Sequence, residues 1–245
     1  MRYLGWRLRK LVTLAAKGEF SRIASKVREH FWSDRRFVVL RRDLSQAIEH
    51  PKAPVPFSIR PYEPGDAATL FDADSPDDQA EREKFESWVK RGLNTCYVAV
   101  LEDGRATFMQ WLCTPSDNKP LRDIFDALRV VEPGTVLLEG AYTPPRFRRL
   151  PVMPAAMARI AEEGRRLGAR WALASVGEDN ASMIRAAQWA GFTPWRLTSD
   201  RRRLFRHFVS YSELPVEPEP RAGPWRDRRR ARAPDRAARS GPRPV

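Results

Sequence analysis

Cysteine and histidine are scarce in this chain: two Cys, Cys96 and Cys113, and three His among 245 residues. Two thiols are too few for a disulfide scaffold, and so few soft ligands give no metal-ligand spacing. No apolar run approaches the roughly 20 residues that a membrane span needs. The short run Leu11–Ala16 is cut by Lys17 and has no A-x-A-like site after it, so no cleavable signal peptide is read. G-x-S-x-G, the P-loop lysine motif and G-x-G-x-x-G are all missing. These absences set aside disulfide-stapled folds, metal centres and three common families of catalytic or nucleotide-binding loop. They predict a cytoplasmic protein with reduced thiols.

Charge is plentiful but unevenly placed. The net charge is +13. Residues 1–50 carry +7, residues 221–245 another +7, and the middle only −1. A nearly neutral middle argues against a nucleic-acid-binding core, so no specific nucleic acid is expected. The basic ends suit an anionic surface. In residues 3–32, Leu4, Leu8, Leu11 and Ala15, then Phe20, Ile23, Val27 and Phe31, recur at helical steps among Arg and Lys. That pattern describes an interfacial helix on an anionic membrane through residues 1–33, or a helix docked on the folded domain. Pro51, Pro54 and Pro56 mark a linker. The predicted organisation is a basic helical extension over 1–50, a linker over 51–56, a domain over 57–214 and a disordered Arg/Pro-rich tail over 215–245.

Within the domain, the elements alternate in type. Ser58–Tyr62 reads as an edge strand, since Pro61 is tolerated there, and Asp66 as the N-cap of a helix through Phe71. A second helix covers Asp77–Arg91. Asp103-Gly104 between Tyr97–Leu101 and Ala106–Leu112 signals a hairpin, which sets Cys96 opposite Trp111. An irregular stretch with a short helix near Leu121–Leu128 follows. Then come strand Val136–Ala141, basic loop Pro144–Pro151, helix Pro154–Leu167, strand Trp171–Val176, a helix opened by Asn180, and a last strand pair over Pro194–Ser199 and Leu204–Tyr211. This order predicts a mixed α/β fold with one parallel crossover. The strand–basic loop–helix unit is a place to hold a phosphate.

Three stretches resemble the GNAT N-acetyltransferase superfamily over about residues 57–211. One is Asn180-Ala-Ser-Met-Ile-Arg-Ala-Ala-Gln-Trp-Ala-Gly191-Phe192 after a strand. Another is Leu138-Glu-Gly-Ala-Tyr-Thr-Pro-Pro-Arg-Phe-Arg148-Arg-Leu-Pro-Val-Met153. The third is Ile59-Arg60-Pro61 with Gly65-Asp66. The resemblance implies a mostly antiparallel sheet with helices on both faces and two splayed parallel strands. It implies acetyl-CoA or another acyl-CoA as donor and an amine as acceptor. Pantetheine would pair with the backbone near Ala141 and Thr143. The pyrophosphate would meet Arg148, Arg149, Leu150, Val152 and Met153, and Asn180 would belong to the donor site. Glu139 would be the general base. The family's frequent acidic tyrosine is replaced by Ala187, so the acid passes to Tyr142 or to water, or the thiolate leaves unprotonated, with Tyr97 the other tyrosine of the central sheet; His207 is a second candidate base. Pro151 and Met153 stand where the family loop has small residues. With residues 1–32 added, the expected acceptor is an amphipathic amine such as a sphingoid base. An amino sugar in surface-polysaccharide assembly, and a non-catalytic acyl-CoA-binding module, are the alternatives.

Overall fold

A computed structural model describes residues 32–125, 130–203 and 206–214. The N-terminal amphipathic pattern and the Arg/Pro-rich tail lie outside the described residues. Eight strands form one sheet: β1 Trp32–Asp43, β2 Phe57–Pro61, β3 Cys96–Leu101, β4 Ala106–Cys113, β5 Thr135–Tyr142, β6 Trp171–Gly177, β7 Thr193–Arg203 and β8 Arg206–Glu213. Their spatial order is β2-β3-β4-β5-β6-β1-β7-β8. Among the described residues only β5 and β6 pair in parallel, joined by the crossover that the sequence predicts. Among the described residues the helices are α1 Ala67–Leu70, α2 Pro76–Val89, α3 Asn118–Phe125, α4 Met153–Arg166 and α5 Ala181–Trp189.

Two cores flank the sheet. On one face, Val38, Leu40, Phe108, Val136, Leu138, Ala172, Ala174 and Val176 pack against Ala156, Met157, Ile160 and Ala161 of α4 and Ala187 of α5. On the other, Val98, Met109, Trp111 and Leu137 pack against Leu70, Phe85, Trp88 and Leu121 of α1 to α3. The alternation of strand side chains sorts the residues between the two. α5 ends in a Schellman turn: Gly191 N–H donates to Gln188 O and Phe192 N–H to Ala187 O, each at 3.0 Å. Gly191 takes the φ of +86° that this turn needs. The Gly-Phe signature is thus a helix stop with a buried apolar residue behind it.

Three expectations need correction. Residues 32–43, assigned above to the N-terminal extension, form β1, which lies inside the sheet between β6 and β7. The sheet therefore includes residues that precede Phe57. Of this strand the sequence shows only the short apolar run Phe37–Leu40, which reads as a short strand and is flanked by Arg35-Arg36 and Arg41-Arg42. Asp66 stands at the N-cap position of α1, as expected, but its side chain makes no cap bond to that helix. It is the third residue of a capping box opened by Glu63, accepts from the Glu63 N–H at 2.8 Å, and holds both guanidinium nitrogens of Arg60 at 2.7 Å. The β3–β4 hairpin keeps the predicted Cys96–Trp111 pairing, but through a bulge after Ala99.

Candidate active site

β5 and β6 pair from Thr135–Trp171 to Leu138–Ala174 and then part. Beyond that point β5 runs on to Tyr142 and β6 to Gly177, so both strands present unpaired edges to a widening gap. Across β5, the pairing with β4 slips by one residue between Trp111–Glu139 and Met109–Tyr142. Gly140 sits in this bulge at φ +60°. A Cβ there would lie 2.6 Å from Trp88 Cζ3 and 2.8 Å from Trp111 Cδ1. Only glycine fits both the backbone and the space. A bulge turns strand amides out of the ladder, here at the mouth of the gap. The signal was present as a lone Gly inside an apolar strand, which marks a bulge.

Glu139 is the first β5 residue past the last parallel pair. It is buried, on the face shared with Trp111 and Leu137; burial first, and then the Glu139 charge, raise the pKa of the Cys113 thiol. Ser175 stands beside the opening on β6, its Oγ buried without a hydrogen bond. α2 contributes Glu81 from above this face. Burial raises the Glu81 carboxyl pKa, against the pull of Lys84 Nζ at 2.6 Å. The sequence analysis missed Glu81 and Ser175; nothing in their local sequence distinguishes them.

Tyr142 does not stand free to donate a proton. Its hydroxyl hydrogen-bonds the carboxylate of Asp78, which is wholly buried at the start of α2. Burial and this bond push the phenol well above its ordinary pKa, which weakens it as an acid. The structure makes it a brace. Arg146 donates to the same Asp78 carboxylate at 2.6 Å and to Thr69 O, and the Asp72 amide donates at 2.9 Å. Burial opposes the charge of Asp78, but these bonds outweigh it and hold its pKa below the usual range. Tyr97 lies on the opposite face, against the α4 core. His207 is on β8, with β6, β1 and β7 between it and β5.

The loop after β5 departs from a simple amide cradle. The N–H groups of Arg148, Leu150 and Val152 are spent on Pro145, Phe147 and Leu150 carbonyls, and Pro151 has none. Val152 points into the core at 2% exposure, and Leu150 and Met153 lean on it. Arg148 reaches away, to Asp77 at 3.1 Å and to Thr143 O at 3.3 Å. What this segment does offer is the N-terminus of α4, which has no side-chain cap and so keeps unpaired amides and the positive end of the helix dipole. Arg149 is exposed beside it. Asn180 is the N-cap of α5: its Oδ1 accepts from Met183 N–H at 3.1 Å and from Ser182 Oγ at 2.9 Å. Ala187, where an acidic tyrosine was expected, is fully buried in the core.

A mixed, mostly antiparallel sheet whose one parallel pair ends at Leu138 and Ala174, with a bulge on the first strand, decides the fold type. The fold is GNAT-like. No family model matches the chain, and no curated protein does. Solved structures similar to it include a GCN5-related N-acetyltransferase from Sphaerobacter thermophilus, at 16% identity and TM-score 0.45 over 78% of this chain and 56% of that one. A glucosamine N-acetyltransferase region in a fungal multi-domain GH3 β-N-acetylglucosaminidase gives 13%, TM-score 0.49, 81% and 22%. A tandem GNAT protein from the clavulanic acid biosynthesis pathway gives 14%, TM-score 0.47, 80% and 59%. This chain thus spans well under two thirds of the length of those structures.

Proposed function

We propose that this chain transfers an acyl group from an acyl-CoA thioester to an amine. The observation that carries the reading is the parting of β5 and β6 beyond Leu138 and Ala174, with the Gly140 bulge at its mouth. Pantetheine carries amides that an unpaired strand edge near Ala141 and Thr143 can bond. The thioester carbonyl would then lie by the bulge, where a strand amide can stabilise an oxyanion. The pyrophosphate would rest on the uncapped end of α4, with Arg149 and, once it leaves Asp77, Arg148. The residues fit the pantetheine arm better than the phosphates.

The reaction forms one N–C bond and breaks one C–S bond. The amine nitrogen attacks the thioester carbon, and its proton passes to Glu139 directly or through water. The thiolate leaves and takes its proton from water, because Tyr142 is held by Asp78 and Ala187 has no hydroxyl. The acceptor we favour is an amphipathic amine, such as a sphingoid base, which the apolar stripe of residues 3–31 motivates. Thermal shift with acetyl-CoA, palmitoyl-CoA and free CoA is the first test, and no shift with any of them would remove the reading. In a turnover assay, Glu139→Gln is expected to lose about 10²–10⁴-fold in kcat, the usual contribution of a general base. Full turnover in that variant would unseat Glu139.

A non-catalytic acyl-CoA-binding module is the second reading. It is favoured by the loop, where three amides are already spent and Pro151 supplies none. Donor binding without release of free CoA in the presence of any amine would select it.

A further inference from the structure

β1 and β7 continue past the point where β6 stops. The last pair between β1 and β6 is Phe37–Gly177, yet β1 begins at Trp32 and pairs with β7 over all of that extra length. There β7 pairs in turn with β8, from Ser199–Ser210 to Arg203–Arg206. A three-stranded ribbon therefore projects about 16 Å beyond β6, at about 3.3 Å per residue. Because β1 is antiparallel to β6, the ribbon extends past the C-terminal end of β6, the end at which β5 and β6 part.

Directly paired residues of neighbouring antiparallel strands share a face. One face of the ribbon carries Trp32, Arg203 and Arg206 in a row, then Asp34, Arg201 and Phe208, then Arg36, Ser199 and Ser210. The next row, Val38 and Leu197, already belongs to the core under α4 and α5. The turn into α5 arrives at Arg36, whose carbonyl accepts from Glu178 N–H at 3.0 Å. Beyond that row the face is open: Trp32 is 57% exposed and Phe208 50%, and Arg201 and Arg206 are exposed beside them. Asp34 lies 3.5 Å from both Arg201 and Arg203, and Glu178 pairs with Arg36 at 3.1 Å. Four Arg thus outnumber the two carboxylates that face them. Exposed pairs of this kind hold their partners weakly, so the guanidinium groups stay available to an external anion.

We propose that this face of the ribbon docks on an anionic lipid surface. Indole and phenyl rings settle at the headgroup level of a bilayer, and Arg beside them meets the lipid phosphates. The Arg203 guanidinium already lies 4.6 Å from the centre of the Trp32 ring. That side of the ring is taken, which suits insertion among headgroups better than stacking on a nucleobase. Docking here turns the end of the sheet where β5 and β6 part towards the bilayer. What this means for the acceptor rests on the acyl-transfer reading: an amphipathic amine would meet the gap at the surface that holds it.

Flotation of the full chain with vesicles tests the docking without any activity. Binding is expected to mixed phosphatidylglycerol and phosphatidylcholine vesicles, to weaken as salt is raised, and to be lost on phosphatidylcholine alone. Each Arg near an anionic surface strengthens binding about fivefold, so Arg201→Gln with Arg206→Gln is expected to weaken it about 25-fold. Trp32→Ser with Phe208→Ser is expected to weaken it about tenfold. All four side chains are exposed, so near-UV circular dichroism is expected to stay native in both pairs. Absence of binding to the mixed vesicles overturns the proposal. So does undiminished binding in either pair, because another part of the chain would then hold the bilayer. Tighter binding of a single-stranded oligoribonucleotide than of the mixed vesicles, lost in the same variants, also overturns it and makes the face a nucleic-acid surface. Thermal shifts with the CoA esters are expected to be equal in parent and variants. Their failure would remove the acyl-transfer reading and leave the flotation result standing.

Discussion

Gly140 is the residue on which the site depends most directly. Alanine there meets a left-handed φ and two indole rings, at 2.6 Å and 2.8 Å. The backbone conformation costs about 1–2 kcal/mol and the overpacking about 1–3 kcal/mol. We expect Gly140→Ala to lower stability by about 2–5 kcal/mol in urea unfolding and to abolish turnover. A variant as stable as the parent would show that the bulge does not require glycine. Glu139 is a candidate base from the sequence because it lies on the strand that leads into the splay. Tyr142 misled because a tyrosine near the site looks like an acid until its partner is known. That partner, Asp78, lies 64 residues earlier, and no local pattern links the two. Asn180 was readable as the opener of its helix because its capping is local, with its bond to Met183 three residues on.

At the scale of elements, α2 and the loop after β5 are tied into one unit by Asp78. The sequence placed the second helix over Asp77–Arg91 and stopped α5 at Gly191, and the structure adds that Ser75 caps α2 by accepting from Asp78 N–H at 3.3 Å. The sequence did not show how they connect, because ion pairs between distant residues leave no periodicity. The depressed pKa of Asp78 makes this link dependent on pH. The ionised form is favoured by folding, so its contribution is complete above the unfolded value of about 4. It is lost as pH falls through the lower folded value. Asp78→Asn is therefore expected to flatten the acid side of the stability–pH curve, while leaving its shape above pH 6 unchanged. Urea midpoints between pH 2.5 and 7 measure this, and an unchanged acid slope would mean that Asp78 is not coupled to folding.

At the scale of the molecule, Arg42 shows why β1 belongs to the domain. It comes from the strand that the sequence assigned to an extension, and its side chain is 1% exposed within the α4–α5 core. One guanidinium nitrogen donates to Ala158 O of α4 at 3.0 Å and to Ala190 O at the end of α5 at 3.3 Å. The other pairs with Glu162 of α4. Burial lowers the Arg42 pKa and Glu162 opposes that shift. The Arg42 guanidinium thus stitches β1 to α4 and to the end of α5. Removing one partner strands a buried charge, which typically costs about 3–5 kcal/mol. Replacing both by apolar residues removes the charge and its desolvation together. We therefore expect Glu162→Ala to destabilise the chain by about 3–5 kcal/mol, and Arg42→Met with Glu162→Leu to recover most of it. The gap between the double variant and the sum of the singles in urea unfolding gives the coupling. Additive losses would mean that the pair is incidental and that β1 is held by its strand ladders alone.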